Sequence, residues 1–543
     1  MEYIYPIRIV YTDGCVENVE SLLAKKRLQI GLLERELTHI KGKASIILDF
    51  GKELPGGARI LTFHAENAKV RLRFGESVSE TCSEISGQGG TGVGSATNDH
   101  SLRDMETQLV NYSDMTFGQT GFRFLRIDTL QENANISLKT VVAACTIDRR
   151  EELGAFECDD PLVNDIWNTA AYTLRLCLQN GYFWDGIKRD RLVWIGDLYP
   201  EMRAAECLFG SVPETLNSLD FSMEETVLPN WVDRMPTYSL WWIINLCAEY
   251  DIQGKKSLFE KYIPYVKGVL KQIEPYVSED GQAWYPSNFI DWPTNYDESK
   301  PLVMKEDLLA GISYLTKITL EKAKAFLTAF EEDVSLCDRM LERLAKKTYK
   351  VQKYKQIAAV GVWSGDQSEN NERVLLDGGA KGLSTFMSYP ILSAVAAYGK
   401  YNEALAMMKE YYGGMLSVGA TTFWEDFDLA WLENAGRINE MPQAGKKDIH
   451  GDYGAFCYLG FRHSFCHAWS AGVIPYLMET VVGIKKVGAG TRRIQIKPNL
   501  SGLKHVKASY PTPYGIVRVE HSLKVNGEVE TKVDAPSEIE IIQ

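Results

Sequence analysis

Residues 183–203 read FWDGIKRDRLVWIGDLYPEMR. Within thirteen positions, 185 to 197, stand three carboxylates (Asp185, Asp190, Asp197) and three cations (Lys188, Arg189, Arg191). Trp184 and Trp194 are interleaved with them, and Gly186 and Gly196 interrupt the helical pattern. A solvated helix face has no need of tryptophan, and a plain core has no need of six charges. Carboxylates that transfer protons, cations that hold oxygens and flat aromatic faces suit a polyhydroxylated ligand such as a sugar. A second reading stands beside it: a buried Asp–Arg network that stitches two helices together.

Outward from this stretch the hydrophobic period is helical. PLVNDIWNTAAYTLRLCLQNG, from Pro161 to Gly181, carries apolar residues at helical spacing and ends on glycine. Further helical segments are predicted near 198–210, 238–250, 256–277, 303–330, 333–348, 384–399, 402–412 and 465–481. Between them run loops bearing Gly, Pro and Trp: LPNWVDRMP, YPSNFIDWPTNYD, GVWSGDQSENN and GATTFWEDFD. All twelve tryptophans lie between Trp167 and Trp469. The segments on either side are of another kind. Before about 150 come short β-branched and aromatic runs such as ASIILDF, RILTFHA and KVRLRFG. VENVESLLAKKRLQIGLLERELTHI is the exception and is expected to be partly helical. Residues 84–104 are rich in Gly and Ser and read as a long loop; their GGTGVG lacks the Gly-Lys-Ser/Thr ending of a phosphate loop. After about 483 strands return, with a hairpin turn at Asn526-Gly527.

A chain of 543 residues is too long for one ordinary core. A net charge of −13 argues against nucleic acid or an anionic membrane as the main partner. The start, MEYIYPIRIV, lacks a basic region followed by a long apolar run, and no apolar stretch has transmembrane length. Ten cysteines are scattered without CxxC pairs, which suits reduced thiols in a cytoplasm. Cytoplasmic localisation is the expectation. The oligomeric state stays open, a homodimer included.

The block DGIKRDRLVWIGD resembles the active-site signature of bacterial α-L-rhamnosidases, glycoside hydrolase family 78. That pattern is approximately Asp-Cys-Pro-x-Arg-Asp-Glu-Arg-Leu-Gly-Trp-x-Gly-Asp. Arg191, Leu192, Trp194, Gly196 and Asp197 match it from the right, and Asp185 and Arg189 from the left. This chain is one residue shorter in between, so the family's general-acid glutamate falls on Asp190. A second motif, Ala-Thr-Thr-x-Trp-Glu, carries the family's general base and is matched by Ala420, Thr421, Thr422, Trp424 and Glu425. The resemblance implies a multidomain, mainly α fold. An (α/α)6 barrel over 151–482 stands between an N-terminal β-sandwich over 1–150 and a small C-terminal β-sandwich domain over 483–543. Periodicity alone says only that the middle is mostly helical. The N-terminal domain is read as a brace, with sugar binding as the alternative.

The activity implied is inverting hydrolysis of terminal α-L-rhamnosides, with Asp190 as acid and Glu425 as base. Asp185, Arg189 and Asp197 would hold ring hydroxyls. Trp194, Trp292 and Trp424 would stack on the ring and receive its C6 methyl. Asp291 with Trp292 resembles a family Asp-Trp pair near the sugar. Trp363 is a further aromatic candidate, with a packed core position as its alternative. His463 and His467 are four apart, but the glutamate of HExxH is missing, so no metal is expected. His467 would instead donate to a sugar hydroxyl. No cofactor is required, and the partner is a small-molecule or oligosaccharide rhamnoside. Two rivals remain: a helical-barrel glycosidase for another sugar or a uronic acid, and a non-catalytic sugar-binding homologue.

One physical difficulty attends Asp190. A general acid must be protonated near neutral pH, yet Arg189 and Arg191 flank it, and cations lower a carboxyl pKa. If both guanidiniums contact Asp190 the assignment fails, and Asp185 replaces it.

Overall fold

The computed structural model describes residues 1–84, 103–295, 299–456 and 458–542. Nearly all of the Gly- and Ser-rich stretch 84–104, GGTGVG included, lies outside the described residues.

The N-terminal region is a seven-stranded antiparallel sheet. Its spine is Thr38–Glu66, 29 residues long, which pairs with Arg8–Glu17, Ser113–Thr129 and Asn135–Cys145. Strand alternation sorts its side chains. Ile46, Leu48 and Phe50 enter one core with Leu72, Phe74 and Phe122. Ile47, on the opposite face, packs with Val78, Phe124 and Met441 of the middle region. The second face of the sheet is therefore a docking surface. The expected helix near residues 16–40 is only the 3-10 turn Val19–Leu23. Its tail LAKKRLQIGLLE has no uniform apolar stripe to bury, and Leu32 and Leu33 remain exposed.

The middle region is helical. Asp160 caps helix Pro161–Cys177 by accepting from Leu162 N–H at 3.0 Å, with Pro161 at the first helical position. Val163, Ile166, Trp167, Ala170 and Leu174 form its buried stripe. Pro236–Gln253 packs on Pro301–Ala329, which packs on Lys355–Trp363, then Ser388–Ala397, then Tyr401–Ser417. Tyr401–Ser417 packs on Pro161–Cys177, that helix on Leu198–Phe209, and Leu198–Phe209 on Pro236–Gln253 again, closing the circuit. All twelve tryptophans lie within this region. Three of its helices carry no clear sequence signal: Pro213–Glu225, Lys355–Trp363 and Glu369–Leu376. The second of these is buried almost all round, so it lacks an amphipathic period. The predicted helix over 465–481 is shorter pieces: a 3-10 turn Ala468–Gly472, then Val473–Tyr476 and a π turn Leu477–Val481. No helix of the described residues is long and apolar enough to cross a membrane.

The C-terminal strands form two small sheets, one of which borrows from upstream. Ala155–Cys158 pairs with His505–Thr512, so a strand from the start of the middle region completes a C-terminal sheet. The expected hairpin joins Gly515–Leu523 to Val529–Asp534, with Gly527 at φ 88°. The described cysteines are free thiols.

Candidate active site

The signature block is a loop, entered from the short pairing of Leu178–Gln179 with Tyr182–Phe183. Asp185 closes it: its N–H donates to Leu192 O at 3.1 Å, and its Oδ1 accepts from Leu192 N–H at 2.9 Å. At the tip, Asp190 and Arg191 both adopt left-handed backbone, φ 56° and 57°. That conformation is uncommon outside glycine, with Asp and Asn enriched in it. A loop one residue shorter than the family pattern makes its turn there. Gly186 bridges to His467, and a Cβ on it would stand 2.9 Å from Cys466 O. The signature loop thus meets the His467 segment backbone to backbone, and His467 N–H in turn donates to Phe423 O of the Glu425 loop at 3.0 Å. Gly196 lets Tyr238 approach: a Cβ there would lie 2.5 Å from the ring. Gly196→Ala is therefore expected to cost about 1–3 kcal/mol by overpacking. It should also loosen Tyr238 from Asp197, so thermal unfolding will occur at a lower temperature and KM will rise.

A cavity of about 280 Å³ opens where these loops meet. Its polar floor is Asp185, Arg189, Asp190, Asp197, Glu425 and His467. Its aromatic wall includes Trp194, Tyr238, Phe289, Trp292, Tyr458 and Trp469. Three of the expected site residues do not line it. Trp424 is fully buried, stacked on Phe465 at 4.0 Å, and cannot reach a ring in the cavity. Trp363 lies with Tyr199 and Tyr389 around a different depression. Asp291 is buried behind the wall, accepting from Trp292 N–H at 2.8 Å and from Ser384 Oγ. Burial pushes its carboxyl up to about 6 despite those bonds.

One guanidinium joins the two principal carboxylates. Arg189 Nη2 pairs with Glu425 Oε2, and Nη1 lies 3.2 Å from Asp190 Oδ2. Arg189 Nε donates to Arg462 O at 2.7 Å, which fixes the plane of the fork. Arg191 turns the other way, donating to Ile187 O and Gln119 O and lying over Trp184. Only one of the flanking arginines therefore touches Asp190.

The electrostatics split the pair. Burial raises the Asp190 carboxyl; Arg189 opposes this, Glu425 reinforces it, and the balance is upward. Burial would raise Glu425 too, but Arg189 and then His467 outweigh it and hold Glu425 well below the ordinary range. Asp185 and Asp197 are both raised, first by burial and then by neighbouring carboxylates. Glu425 Oε2 also accepts from Ser464 N–H at 3.3 Å, whereas Oε1 faces His467 Nε2 at 3.4 Å. The same His467 nitrogen lies 3.7 Å from Asp185 and 3.8 Å from Asp197. His463 does not share this face: its Nε2 accepts from Asp426 N–H at 3.0 Å, and burial lowers its pKa to about 3.

Several lining residues carried no mark in the sequence. Trp469 stacks beside His467 at 4.2 Å and donates to Glu425 O at 3.0 Å. Met235 and Tyr238 begin a helix whose apolar residues read as core, and Ser287, Asn288 and Phe289 sit unremarked in the loop before Asp291. Proximity of Trp469 to His467 was the one signal available.

Residues 151–351 match the bacterial alpha-L-rhamnosidase 6 hairpin glycosidase domain, and residues 483–541 match the bacterial alpha-L-rhamnosidase C-terminal domain. No curated protein sequence matches the chain. Among solved structures, the chain is similar to the family 78 rhamnosidase of Bacillus sp. GL1, with TM-score 0.73 and 20% identity over 96% of this chain and 55% of that one. It is similar also to a Klebsiella oxytoca rhamnosidase with rhamnose bound, with TM-score 0.67 and 19% identity over 88% of this chain and 95% of that one. A Streptomyces avermitilis alpha-L-rhamnosidase complexed with L-rhamnose gives TM-score 0.65 and 15% identity over 91% and 48% of the two chains. The chain thus spans about half the length of the Bacillus and Streptomyces proteins and nearly all of the Klebsiella one. Over residues 151–351 and 483–541 by sequence, and over most of its length by fold, the chain is similar to bacterial alpha-L-rhamnosidases.

Proposed function

We propose that this chain is an inverting glycoside hydrolase that releases terminal α-L-rhamnose, with its helices closing an (α/α)6 barrel between two β-sandwich domains. The observation that carries the reading is the split pair: across one arginine, Asp190 is pushed towards its protonated form and Glu425 towards its ionised form. Two carboxyl groups whose environments drive them apart are what acid–base cleavage of a glycosidic bond needs.

In this mechanism Asp190 delivers its proton to the leaving oxygen. Arg189 lies against Asp190 Oδ2. Glu425 Oε2 is engaged by Arg189 and Ser464, and Oε1, with His467 Nε2 at 3.4 Å, keeps a further lone pair to take a proton from water. Asp185, Asp197 and His467 hold ring hydroxyls beside it. Asp185 Oδ1 is already bound to Leu192 N–H, which suits a hydroxyl-holding role better than proton delivery. Trp194 and Trp292 cover the ring and its methyl. Trp424 and Asp291 stand behind the wall and Trp363 beside a different depression, so the sugar is held without contact to these three. The three cations of the signature block are committed elsewhere: Arg189 to Glu425 and Asp190, Arg191 to backbone carbonyls, Lys188 to Glu76 and Glu80. A substrate carboxylate would find none of these three ready for it, which weighs against a uronic acid.

Turnover on a panel of nitrophenyl glycosides tests the activity. Hydrolysis of the α-L-rhamnoside alone is expected; saturable binding without turnover would make this a sugar-binding protein. Stereochemistry is tested separately. The first sugar released should be β-L-rhamnose, seen by time-resolved NMR before mutarotation. A retaining pair stands ~5–5.5 Å apart and an inverting pair ~6.5–9.5 Å, with a water in between. Early α-anomer would recast Glu425 as a nucleophile.

A further inference from the structure

Glu76 follows the strand Lys69–Gly75 of the N-terminal sheet and is buried. Its Oε2 accepts from Phe465 N–H at 2.7 Å and lies 3.2 Å from Lys188 Nζ. Its Oε1 accepts from Ser464 Oγ at 3.4 Å. Of these three partners, Ser464 contacts Glu425 directly and Lys188 adjoins a residue that does. Ser464 N–H donates to the Glu425 carboxylate, and Glu425 N–H donates back to Ser464 O at 3.0 Å. Lys188 immediately precedes Arg189, the residue that bridges the two carboxylates.

Lys188 is held on every side. Its Nζ lies 3.0 Å from Glu80 Oε1 and donates to His463 O at 2.8 Å. Its carbonyl accepts from Thr120 Oγ1 at 3.1 Å. Glu76, Glu80 and His450 bring ligand atoms near enough together for a metal ion. Lys188 Nζ stands among them, 3.3 Å from His450 Nε2, so an ammonium supplies the positive charge that a cation would bring. A buried carboxylate cannot shift away from such a partner without leaving both charges uncompensated. The cluster is therefore a stiff strut between two domains, and its far end touches the base.

We propose that Glu76 is a positioning residue for the Glu425 carboxylate, contributed by the N-terminal domain and acting through the Ser464–Phe465 backbone and the Lys188–Arg189 pair. This rests on the reading of Glu425 as base, and it gives the N-terminal domain a part in catalysis beyond bracing. The charged and titratable groups facing Glu425 are Arg189, Asp185, Asp190, Asp197, Asp426, His463 and His467. Of these, Arg189 does most to hold it ionised. Loosening Arg189 and the Ser464 N–H lets the Glu425 carboxylate leave the position from which it meets water. Burial raises the Glu76 carboxyl itself to about 7, against Lys188 and the Phe465 N–H, so its charge holds the strut above that pH.

The experiment compares kcat/KM against pH for the full chain and for Glu76→Gln on an aryl α-L-rhamnoside, with thermal unfolding and L-rhamnose affinity measured alongside. The amide still accepts from Phe465 N–H but no longer neutralises Lys188. Above about pH 7 kcat should fall about tenfold with KM within about twofold, and below it the two profiles should converge, because the unmodified Glu76 is then protonated as well. Glu76→Asp keeps the charge but lacks the reach, and should lose kcat in the same sense; it serves if the Gln variant does not fold. A merely structural Glu76 would lower the unfolding temperature and leave kcat above pH 7 unchanged, and that result overturns the proposal. Absence of turnover by the unmodified chain would instead overturn the base assignment, and this inference with it.

Discussion

Glu425→Gln should lower kcat by about 10³–10⁴-fold on every rhamnoside, activated or not, which corresponds to about 4–5.5 kcal/mol of transition-state stabilisation. In the proposed mechanism each turnover needs a deprotonated water, whatever the leaving group. The amide can still accept from Arg189 and from Ser464 N–H, so the loop geometry and sugar affinity should persist. KM is expected to stay within a few-fold, which separates a lost base from a collapsed pocket. The pH dependence carries a sign. Glu425 is held well below the ordinary range, so the acidic limb of the unmodified enzyme should lie at low pH and vanish in the variant. A Glu425→Gln enzyme with wild-type kcat would end the two-carboxylate mechanism.

The second large effect depends on the leaving group. Asp190→Asn should cost about 10²–10⁴-fold on rhamnosides with poor, alkyl-type leaving groups. Nitrophenyl substrates need little protonation and should lose much less. Asn tolerates left-handed backbone, so the turn at 190–191 should survive and the effect should be chemical rather than structural. The folded Asp190 carboxyl is raised by burial and by Glu425, against Arg189. Activity of the unmodified enzyme should accordingly fall as pH rises through that pKa, and the alkaline limb should disappear in Asp190→Asn. An equal loss on both substrate kinds would assign the acid elsewhere, with Asp185 the next carboxyl to substitute.

The sequence by itself carried the division of the chain and the identity of the two motif loops. Tryptophan confined to 167–469, strand-like runs before and after, and helical spacing between them all depend on local periodicity, which is written in neighbouring residues. DGIKRDRLVWIGD and GATTFWEDFD likewise carry their chemistry in consecutive residues. What the sequence could not decide is which side of a loop each residue presents. In TTFWEDF, Glu425 enters the cavity while Trp424 stacks on Phe465, because the loop is bonded along one edge to Ser464, Phe465 and Trp469. Asp291 turns inward to Ser384, while its neighbour Trp292 lines the cavity. Trp363 ends a helix that faces a different depression.

The protonation problem at Asp190 was likewise a question of direction. Adjacent arginines in sequence are not adjacent charges in space. Positive φ at two successive residues throws Arg191 towards Gln119 O and leaves Arg189 alone between the carboxylates. Burial then sets the sign of each shift, and burial is a property of everything packed around a group rather than of its sequence neighbours. The same holds for Glu76. Nothing near residue 76 announces a link to the candidate base, because its partners stand at 188, 464 and 465 and meet it only when the second face of the N-terminal sheet docks on the helices.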